Sequence, residues 1–361
     1  MSLVVDLIRA RPMFWFTTGL LVLGALGGEV AKLIGLPLPW MLGSLLSTAV
    51  VVAVLPHRIP VGFRFSQRFR MVFISIIGAM IGAQLTLDVL TQWRPLVFSL
   101  LGVTVFVALA HGWNYWLFRR IGRFDKATAF YCGTPGGLIE SITLGEAAGA
   151  EIRMLTVMQF LRIILVVTLV PLGISIVEGH PVGSADGVGF TPGAGHLSSI
   201  PVLLVIGGVG LLVGRLLRLP AAQLVGPLLV SAVLSGTGLI TLDPPNWVIS
   251  VAQVVIGVSL GSRFIGVTGR LLRRALGLSL VSVIGMLGIG VTLAVILNAI
   301  DGHSILVLIL SLAPGGVTEM GLVALSLAAN PALVAFHHLY RIILTVLEMA
   351  VVGRWLMRSG P

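Results

Sequence analysis

Long apolar runs separated by short polar stretches occupy almost the whole chain. A run of roughly 20 apolar residues can cross a bilayer as a helix. The pattern predicts six such segments in each half and therefore an all-α polytopic membrane protein. They lie at 13–28, 38–55, 71–87, 95–118, 127–148 and 153–177, and at 200–217, 221–240, 246–262, 275–299, 304–328 and 331–356.

The two halves of the chain repeat one another. The string Pro-Gly-Gly-x-x-Glu occurs at 135–140 and again 179 positions later at 314–319. The same offset relates Arg162-Ile-Ile-Leu to Arg341-Ile-Ile-Leu. Each copy of the string places a helix break and a carboxylate inside an apolar segment, where a lipid-exposed helix tolerates neither.

This repetition predicts three parts: a first membrane repeat at 1–178, a linker at 179–199 and a second membrane repeat at 200–361. The linker is rich in Gly, Pro, Ser and His, as solvated loops are. Paired glycines at 78 and 82, and at 257 and 261, occur at matched positions of the third segment of each half. Small residues at this spacing favour close helix packing, so we expect a packing seam there and infer no dimer interface from it.

The basic residues are placed asymmetrically. Eighteen of the 23 Lys and Arg residues gather in six short loops or ends, and the loops between them carry Asp and Glu. This arrangement follows the positive-inside rule. It predicts a multi-pass protein of the cell inner membrane with both termini cytoplasmic and the linker external. It also explains the net charge of +10 without a nucleic-acid partner.

Sidedness limits how many segments cross the membrane. The basic loops at 119–126 and 215–218 should both be cytoplasmic, yet three segments separate them. One segment of the three must fail to cross, and the Pro-Gly-Gly segment is the candidate. We therefore expect an inverted-topology repeat of about ten transmembrane helices plus two re-entrant or broken Pro-Gly-Gly helices, with a binding site near the midplane. The alternative is a full crossing broken at its middle.

Composition supports the membrane class and narrows the chemistry. Hydrophobic residues make up 57% of the chain and charged residues only 10%, against about 25% charged in soluble domains. The single cysteine, Cys132, excludes an internal disulfide and a cysteine metal cluster. His337 and His338 are adjacent and point about 100° apart on a helix, so they do not chelate one ion readily. The other histidines, including His111, lie near loops or segment ends. We expect no metal, no cofactor and no catalytic residue.

The residues resemble a known family. The duplicated halves, the Leu-Pro-Leu-Pro-Trp-Met-Leu-Gly turn at 36–43 and the paired Pro-Gly-Gly-x-x-Glu strings resemble the AbrB-type bacterial membrane protein family over essentially the whole chain. Members of that family carry labels such as regulator or ammonia monooxygenase. The family is also distantly similar to inverted-repeat secondary transporters with crossed, unwound helices. The resemblance therefore implies a transporter-like fold and leaves the function open.

The candidate substrate or ion site lies at the two breaks. Each break frees backbone groups, and the helix that restarts there points a positive N-terminal end at the gap. We expect Thr134 to cap the restarted helix, with Pro135 at its first position. The predicted site residues are Thr134, Pro135, Gly136, Gly137, Glu140, Gln159, Arg162, Pro314, Gly315, Gly316, Thr318, Glu319, His338 and Arg341.

The charged members of this set allow two interpretations each. Glu140 and Glu319 could bind a cation, carry a proton or pair with an arginine. Arg162 and Arg341 could pair with those glutamates or hold an anionic substrate. If the two hairpins meet, Gly136 and Gly315 should lie close together, although 179 positions separate them in the chain.

These features favour a secondary transporter of a small solute, anionic or a carboxylate, with cation or proton coupling. The alternative is a membrane protein that regulates gene expression indirectly or through a partner. A membrane monooxygenase lacks a persuasive set of metal ligands, so we expect no enzyme. The expected partners are the lipid bilayer and the small-molecule or ion substrate, and a homo-oligomer stays open.

Overall fold

The computed structural model describes residues 2–84, 93–182 and 195–353, and every regular element in these ranges is a helix. The C-terminal arginines at 354 and 358 and most of the linker lie outside the described residues. The helices are α1 Ser2–Leu33, α2 Pro39–Val54, α3 Gln67–Ala83, α4 Trp93–Arg120, α5 Lys126–Gly133, α6 Leu138–Ala147, α7 Ile152–Glu178, α8 Ser199–Leu216, α9 Ala222–Gly236, α10 Trp247–Gly261, α11 Gly269–Asp301, α12 Ile305–Leu312, α13 Val317–Ser326 and α14 Pro331–Glu348. A π-helical turn, Met349–Gly353, follows α14.

Seven helices in the described ranges are long and apolar enough to span a membrane: α1, α4, α7, α8, α10, α11 and α14. The all-helical, membrane-type class is therefore confirmed. The expected number of ten is not confirmed, because α2, α3 and α9 have 16, 17 and 15 residues, fewer than the roughly 20 that a crossing helix needs. Helix α2 lies within one residue of its predicted bounds, whereas α9 ends at Gly236, four residues before the predicted end of its segment.

The described chain forms two compact units, and each takes helices from both halves. The first unit comprises Met1–Gln84, Pro171–Val267 and Leu325–Ala328, which bring together α1–α3 and α8–α10. The second comprises Leu85–Val170, Thr268–Ala324 and Ala329–Pro361. The sequence repeats and the compact units are thus two different divisions of the chain.

Glycines bring helices of the first unit into backbone contact. An added Cβ at Gly78 on α3 would meet the carbonyl oxygen of Leu224 on α9, and one at Gly257 on α10 would meet that of Met41 on α2. Gly257 follows Gly78 by 179 positions and Leu224 follows Met41 by 183, so the two contacts are equivalent. The predicted glycine seam is confirmed, and its partner is the second helix of the other half.

The backbone at the start of the second helix also repeats. Leu38 and Ala221, 183 positions apart, both adopt left-handed backbone, with φ of 44° and 48°. This conformation is costly for residues other than glycine. The Leu38 N–H donates to the carbonyl of Val182 at 3.1 Å, which helps to hold the turn. The same unusual geometry in both halves indicates one folding plan used twice.

The second unit contains both Pro-Gly-Gly breaks. Its long helix α4 packs against α5, α11 and α14, and α12 packs against α11 and α14. The breaks lie between α5 and α6 and between α12 and α13. The whole set of predicted site residues is therefore placed within one compact unit.

Candidate functional site

The first break is the tip of a helical hairpin. The chain leaves helical geometry at 134–137 and then folds back, so that Gly145 of α6 lies beside Tyr131 of α5, where an added Cβ would be 3.3 Å from the Tyr131 Cβ. The N–H of Glu151 donates to the Oγ1 of Thr128 at 2.8 Å. The first turn of α5 therefore lies beside the residues that follow α6. This arrangement is that of a hairpin, whereas a straight broken helix would place these two ends far apart.

Local sequence explains this hairpin. Asp125 caps α5 by accepting a hydrogen bond from the N–H of Thr128 at 2.9 Å. Pro135 cannot donate the next helical hydrogen bond, and Gly137 takes the left-handed conformation, with φ of +61°. Because glycine adopts that conformation without a steric cost, the chain reverses there.

Thr134 does not cap the restarted helix, so that prediction is wrong. The N-cap of α6 is Gly137, and it has no side-chain cap bond. The Thr134 hydroxyl donates to the carbonyl of Tyr131 at 3.1 Å, lies 2.7 Å from the Ser141 hydroxyl and accepts from Gln159 Nε2 at 2.9 Å. The restart comes after the glycine pair, which leaves Thr134 at the end of α5, too far from the first amides of α6.

The second break is a tight turn. The Gly315 N–H donates to the carbonyl of Ala313 at 2.8 Å, and Pro314 and Gly315 are both buried. Helix α13 restarts after Gly316, and its first turn carries Thr318. A buried proline and a buried glycine thus form the gap between α12 and α13.

The two glutamates occupy different surroundings. Glu319, in the first turn of α13, is 3% exposed and its carboxylate lies against Gly316, where an added Cβ would clash with it. Glu140, in the first turn of α6, is half-buried beside Gly137. In the described part of the chain the Glu140 carboxylate makes no hydrogen bond or ion pair. The sequence repeat therefore does not produce two identical carboxylate sites.

Each arginine binds the backbone of the break in its own half. Arg162 donates through an NH1 group to the carbonyl of Thr134. Arg341 donates to the carbonyl of Ala313, so that both the donor and the acceptor lie 179 positions after their counterparts in the first half. Arg341 also donates to the carbonyl of Gly315 at 2.6 Å. The guanidinium groups therefore satisfy carbonyls that the interrupted helices leave unpaired.

A second equivalent contact lies one helical turn earlier. Gln159 Nε2 donates to the carbonyl of Tyr131 at 2.9 Å. His338 Nε2 makes the same contact with the carbonyl of Leu310, also at 2.9 Å, while its Nδ1 lies 2.8 Å from the Arg341 guanidinium. The last helix of each repeat thus holds its break through two residues spaced by one turn.

Neither guanidinium has a carboxylate partner among the described residues. The ion-pair role that the sequence allowed for Arg162 and Arg341 is therefore not formed. Arg162 is 5% exposed and Arg341 is 1% exposed, and the Nε of each makes no hydrogen bond. The positive charges also act unfavourably on one another. In the part of the chain that the structure describes, the site therefore holds two buried cations with no carboxylate paired to either.

Both breaks contact Arg341. Gly136 lies against its guanidinium and the Thr345 hydroxyl, with an added Cβ 3.8 Å from Arg341 Nε and 3.1 Å from Thr345 Oγ1. Gly315 accepts a hydrogen bond from the same guanidinium. The expected proximity of Gly136 and Gly315 is thus realised through one shared side chain.

Sequence reasoning missed the pair formed by His111 and Glu348. His111 lies inside α4 and is 3% exposed, so the expectation that it sits near a segment end is wrong. Its Nδ1 lies 2.7 Å from the Glu348 Oε1, and its Nε2 lies 2.9 Å from the carbonyl oxygen of Phe130. The available signal was Glu348 itself, an acid deep in an apolar segment, which is costly in a membrane.

The adjacent histidines make separate contacts. His337 Nδ1 lies 2.7 Å from the Leu333 carbonyl, and its Nε2 lies 2.7 Å from the Ser99 hydroxyl, whereas His338 bonds to the break. Within the described ranges, no group of three His, Cys, Asp or Glu side chains is placed to hold a metal ion.

These features define an all-helical protein of the membrane type with duplicated broken elements. The sequence profile of the family described as "Transition state regulatory protein AbrB" matches residues 40–357, and the chain belongs to this family. The chain is 26% identical over 356 residues to "Uncharacterized protein YhjN" of Bacillus subtilis (strain 168), covering 92% of this chain and 90% of that protein. It is 28% identical over 296 residues to "Putative regulator AbrB" of Escherichia coli (strain K12), covering 80% and 82%.

Proposed function

We propose that this protein is a secondary transporter that moves a small anionic solute, such as a carboxylate, across the cell inner membrane. The observation that carries the proposal is the pair of buried guanidinium groups, Arg162 and Arg341, which contact the two breaks and have no carboxylate partner in the described chain.

Electrostatics support an anion as the missing partner. A buried charge is costly unless it is paired and hydrogen-bonded. Backbone carbonyls offset part of that cost for Arg341 but carry no full negative charge. An anion would neutralise the guanidinium groups, whose planar fork matches carboxylate geometry. The N-terminal ends of α6 and α13 add positive potential beside the breaks.

The repeat geometry supports a transporter fold. We take the halves to be inverted repeats, each with five crossings and one re-entrant hairpin. The reciprocal glycine contacts, in which α3 meets α9 as α10 meets α2, are the kind that a two-fold axis produces. With an odd number of crossings per half that axis lies in the membrane plane, where such transporters place their substrate.

This arrangement assigns roles to the other site residues. Gln159 and His338 hold the break carbonyls in place, while Pro135, Gly136, Pro314 and Gly315 leave the backbone close to the substrate. Glu140 and Glu319 are candidates for a coupling cation. The regulator label of the E. coli relative belongs to that protein; here we propose that any effect on gene expression is indirect.

A ligand screen tests the proposal. Purified protein is heated with acetate, succinate, citrate, phosphate or sulfate at constant ionic strength. A ligand at 100 times its Kd stabilises by about 2.7 kcal/mol, so at least one anion should raise the Tm clearly. The shift should vanish in Arg341→Gln and persist in the control Arg215→Gln, which makes the same change at an exposed arginine of α8.

An uptake assay in liposomes that contain the protein then tests whether the anion that raises the Tm is transported. The proposal is refuted if no anion shifts the Tm, or if Arg341→Gln and Arg162→Gln both keep a full shift.

A further inference from the structure

A row of three polar contacts joins α4 to α14 within the second unit. Successive positions on α4 meet successive positions on α14, so the two helices run in the same chain direction along this row. The contacts are Ser99 with His337 at 2.7 Å, Thr104 with Tyr340 at 2.9 Å, and His111 with Glu348 at 2.7 Å.

The equivalent positions of the other repeat pair are apolar. Adding 179 to the three α4 positions gives Leu278, Val283 and Gly290, and subtracting 179 from the α14 positions gives Met158, Leu161 and Leu169. The equivalent helices α11 and α7 therefore carry apolar residues at the positions where α4 and α14 carry polar ones. Helix packing does not require a histidine and a glutamate there.

Hydrogen-bond chemistry shows that the last pair holds a proton. The carbonyl of Phe130 only accepts, so the Nε2 of His111 must carry a hydrogen to make its 2.9 Å contact. The Nδ1 of His111 then lies 2.7 Å from a carboxylate oxygen of Glu348. That contact requires a second proton, either on Nδ1 as imidazolium or on the oxygen as carboxylic acid. Without it, two lone pairs would face each other.

The position of the pair suits proton exchange. The Glu348 side chain is 20% exposed and that of His111 only 4%, so the glutamate is the less buried member of the pair. The Glu348 Oε2 is buried and has no hydrogen-bond partner in the described chain, so the protein leaves the carboxyl group only partly satisfied. A neutral pair is therefore favoured over a lone carboxylate.

We propose that His111 and Glu348 form the proton-binding site of this protein and that its proton is coupled to anion binding at Arg341. The coupling rests on the proposed transport function. The step is balanced: one proton from the aqueous side joins neutral His111 and ionised Glu348, and its loss leaves the pair with one negative charge. Loss also removes this hydrogen bond between α4 and α14.

The surrounding charged groups set the electrostatics. Arg341 lies seven residues before Glu348 on α14, two helical turns or about 10 Å along the axis. Helix α11 carries its charged residues at its ends and α12 has none. The titratable and charged groups on the remaining neighbouring elements are Lys126, Tyr131 and Cys132 of α5, Glu140 and Glu146 of α6, Arg153, Arg162 and Glu178 of α7, and Glu319 of α13.

The sign of the coupling follows from these charges. A deprotonated pair places a negative charge about 10 Å from the anion at Arg341, and two like charges at that distance repel enough to weaken binding about tenfold at an effective dielectric of about 20. Anion affinity should therefore rise about tenfold as the pH falls and the pair takes up its proton.

Glu348→Gln tests the site directly. The amide can donate to the Nδ1 of His111, so it keeps the contact and removes the carboxylate that shares the proton. The control is Tyr340→Phe, which removes the neighbouring contact with Thr104 and no group that titrates near neutrality. Protons bound by the purified proteins are counted with a pH indicator from about pH 5.5 to 8.5, above the ordinary range of a free glutamate.

The expected result is about one proton fewer in Glu348→Gln than in the wild type, with Tyr340→Phe unchanged. Equal counts in wild type and Glu348→Gln would overturn the site, because proton binding would then not require the carboxylate. This measurement needs no anion and holds whatever the transported solute is.

Succinate titrations over the same pH range test the coupling. Affinity should rise about tenfold toward low pH in the wild type and stay at the higher value in Glu348→Gln. A pH-independent affinity in the wild type would refute the coupling. Failure of every anion in the screen would refute the proposed transport function, while the proton count would still decide the site.

Discussion

Replacing each buried arginine by lysine separates the contribution of the guanidinium fork from that of the charge. Among the described residues, Arg341 makes three hydrogen bonds, to the carbonyls of Ala313 and Gly315 and to the His338 ring, and Arg162 makes one, to the carbonyl of Thr134. A lysine keeps the charge and can satisfy one carbonyl. Arg162→Lys should therefore lose little, and Arg341→Lys should lose about two charge-assisted bonds.

The magnitude follows from this count. Each hydrogen bond to a charged group contributes about 1.5–3 kcal/mol, and bonds within one network are not additive. We expect Arg341→Lys to lower the free energy of unfolding by about 3 kcal/mol and Arg162→Lys by about 1 kcal/mol. Because both changes conserve charge and occupy equivalent positions, each variant serves as the control for the other.

The assay is reversible denaturant unfolding of the purified variants in one detergent, followed by helical circular dichroism. The anion-dependent Tm shift is measured in parallel and should weaken more in Arg341→Lys, since a lysine cannot bind a carboxylate in bidentate fashion. Equal losses in the two variants, or a larger loss in Arg162→Lys, would refute the assignment of unequal hydrogen bonding to the two breaks.

Two further predictions concern the backbone. Gly82→Ala would push a Cβ into the carbonyl of Leu228 and should lower the free energy of unfolding by about 1–3 kcal/mol. The control is Gly112→Ala at an exposed position with open space around it, which should leave the free energy of unfolding unchanged or raise it by about 0.5–1 kcal/mol. A similar Tm change in both variants would contradict the close helix contact. Ala328→Gly should stabilise by about 0.5–1 kcal/mol, because exposed Ala328 has left-handed backbone at φ 51°. Gly149→Ala, 179 positions earlier at φ 78°, should lose a similar amount, and equal signs for the two Tm changes would refute this explanation.

The repeat offset was the most informative feature of the sequence. It pairs Gln159 with His338 and Arg162 with Arg341, and the structure gives each pair equivalent carbonyl partners. Periodicity also predicted helices at nearly every position where the structure has one. These successes share a cause: a duplicated chain that folds in one way must repeat its backbone contacts.

Other features depended on local geometry that sequence does not specify. Thr134 was expected to cap a helix, but the restart comes three residues later because Gly137 reverses the chain. His111 was expected near a segment end, because a single histidine in an apolar helix gives no sign of its partner. Glu348 lies 237 positions away, and only tertiary packing brings the two together. The expected number of ten spanning helices is not confirmed, because α2, α3 and α9 are short for a helix that crosses a bilayer.

The sharing of both compact units between the two halves has a consequence for biosynthesis. Helix α3 leaves the ribosome 139 residues before the start of α9, whose carbonyls contact the glycines of α3. During synthesis the glycine face of α3 therefore has no packing partner in the membrane until α9 has been made. A domain folds only when all of its chain has been synthesised. Neither half on its own contains a complete unit. A chain divided within the linker should assemble only when both pieces are made in the same cell.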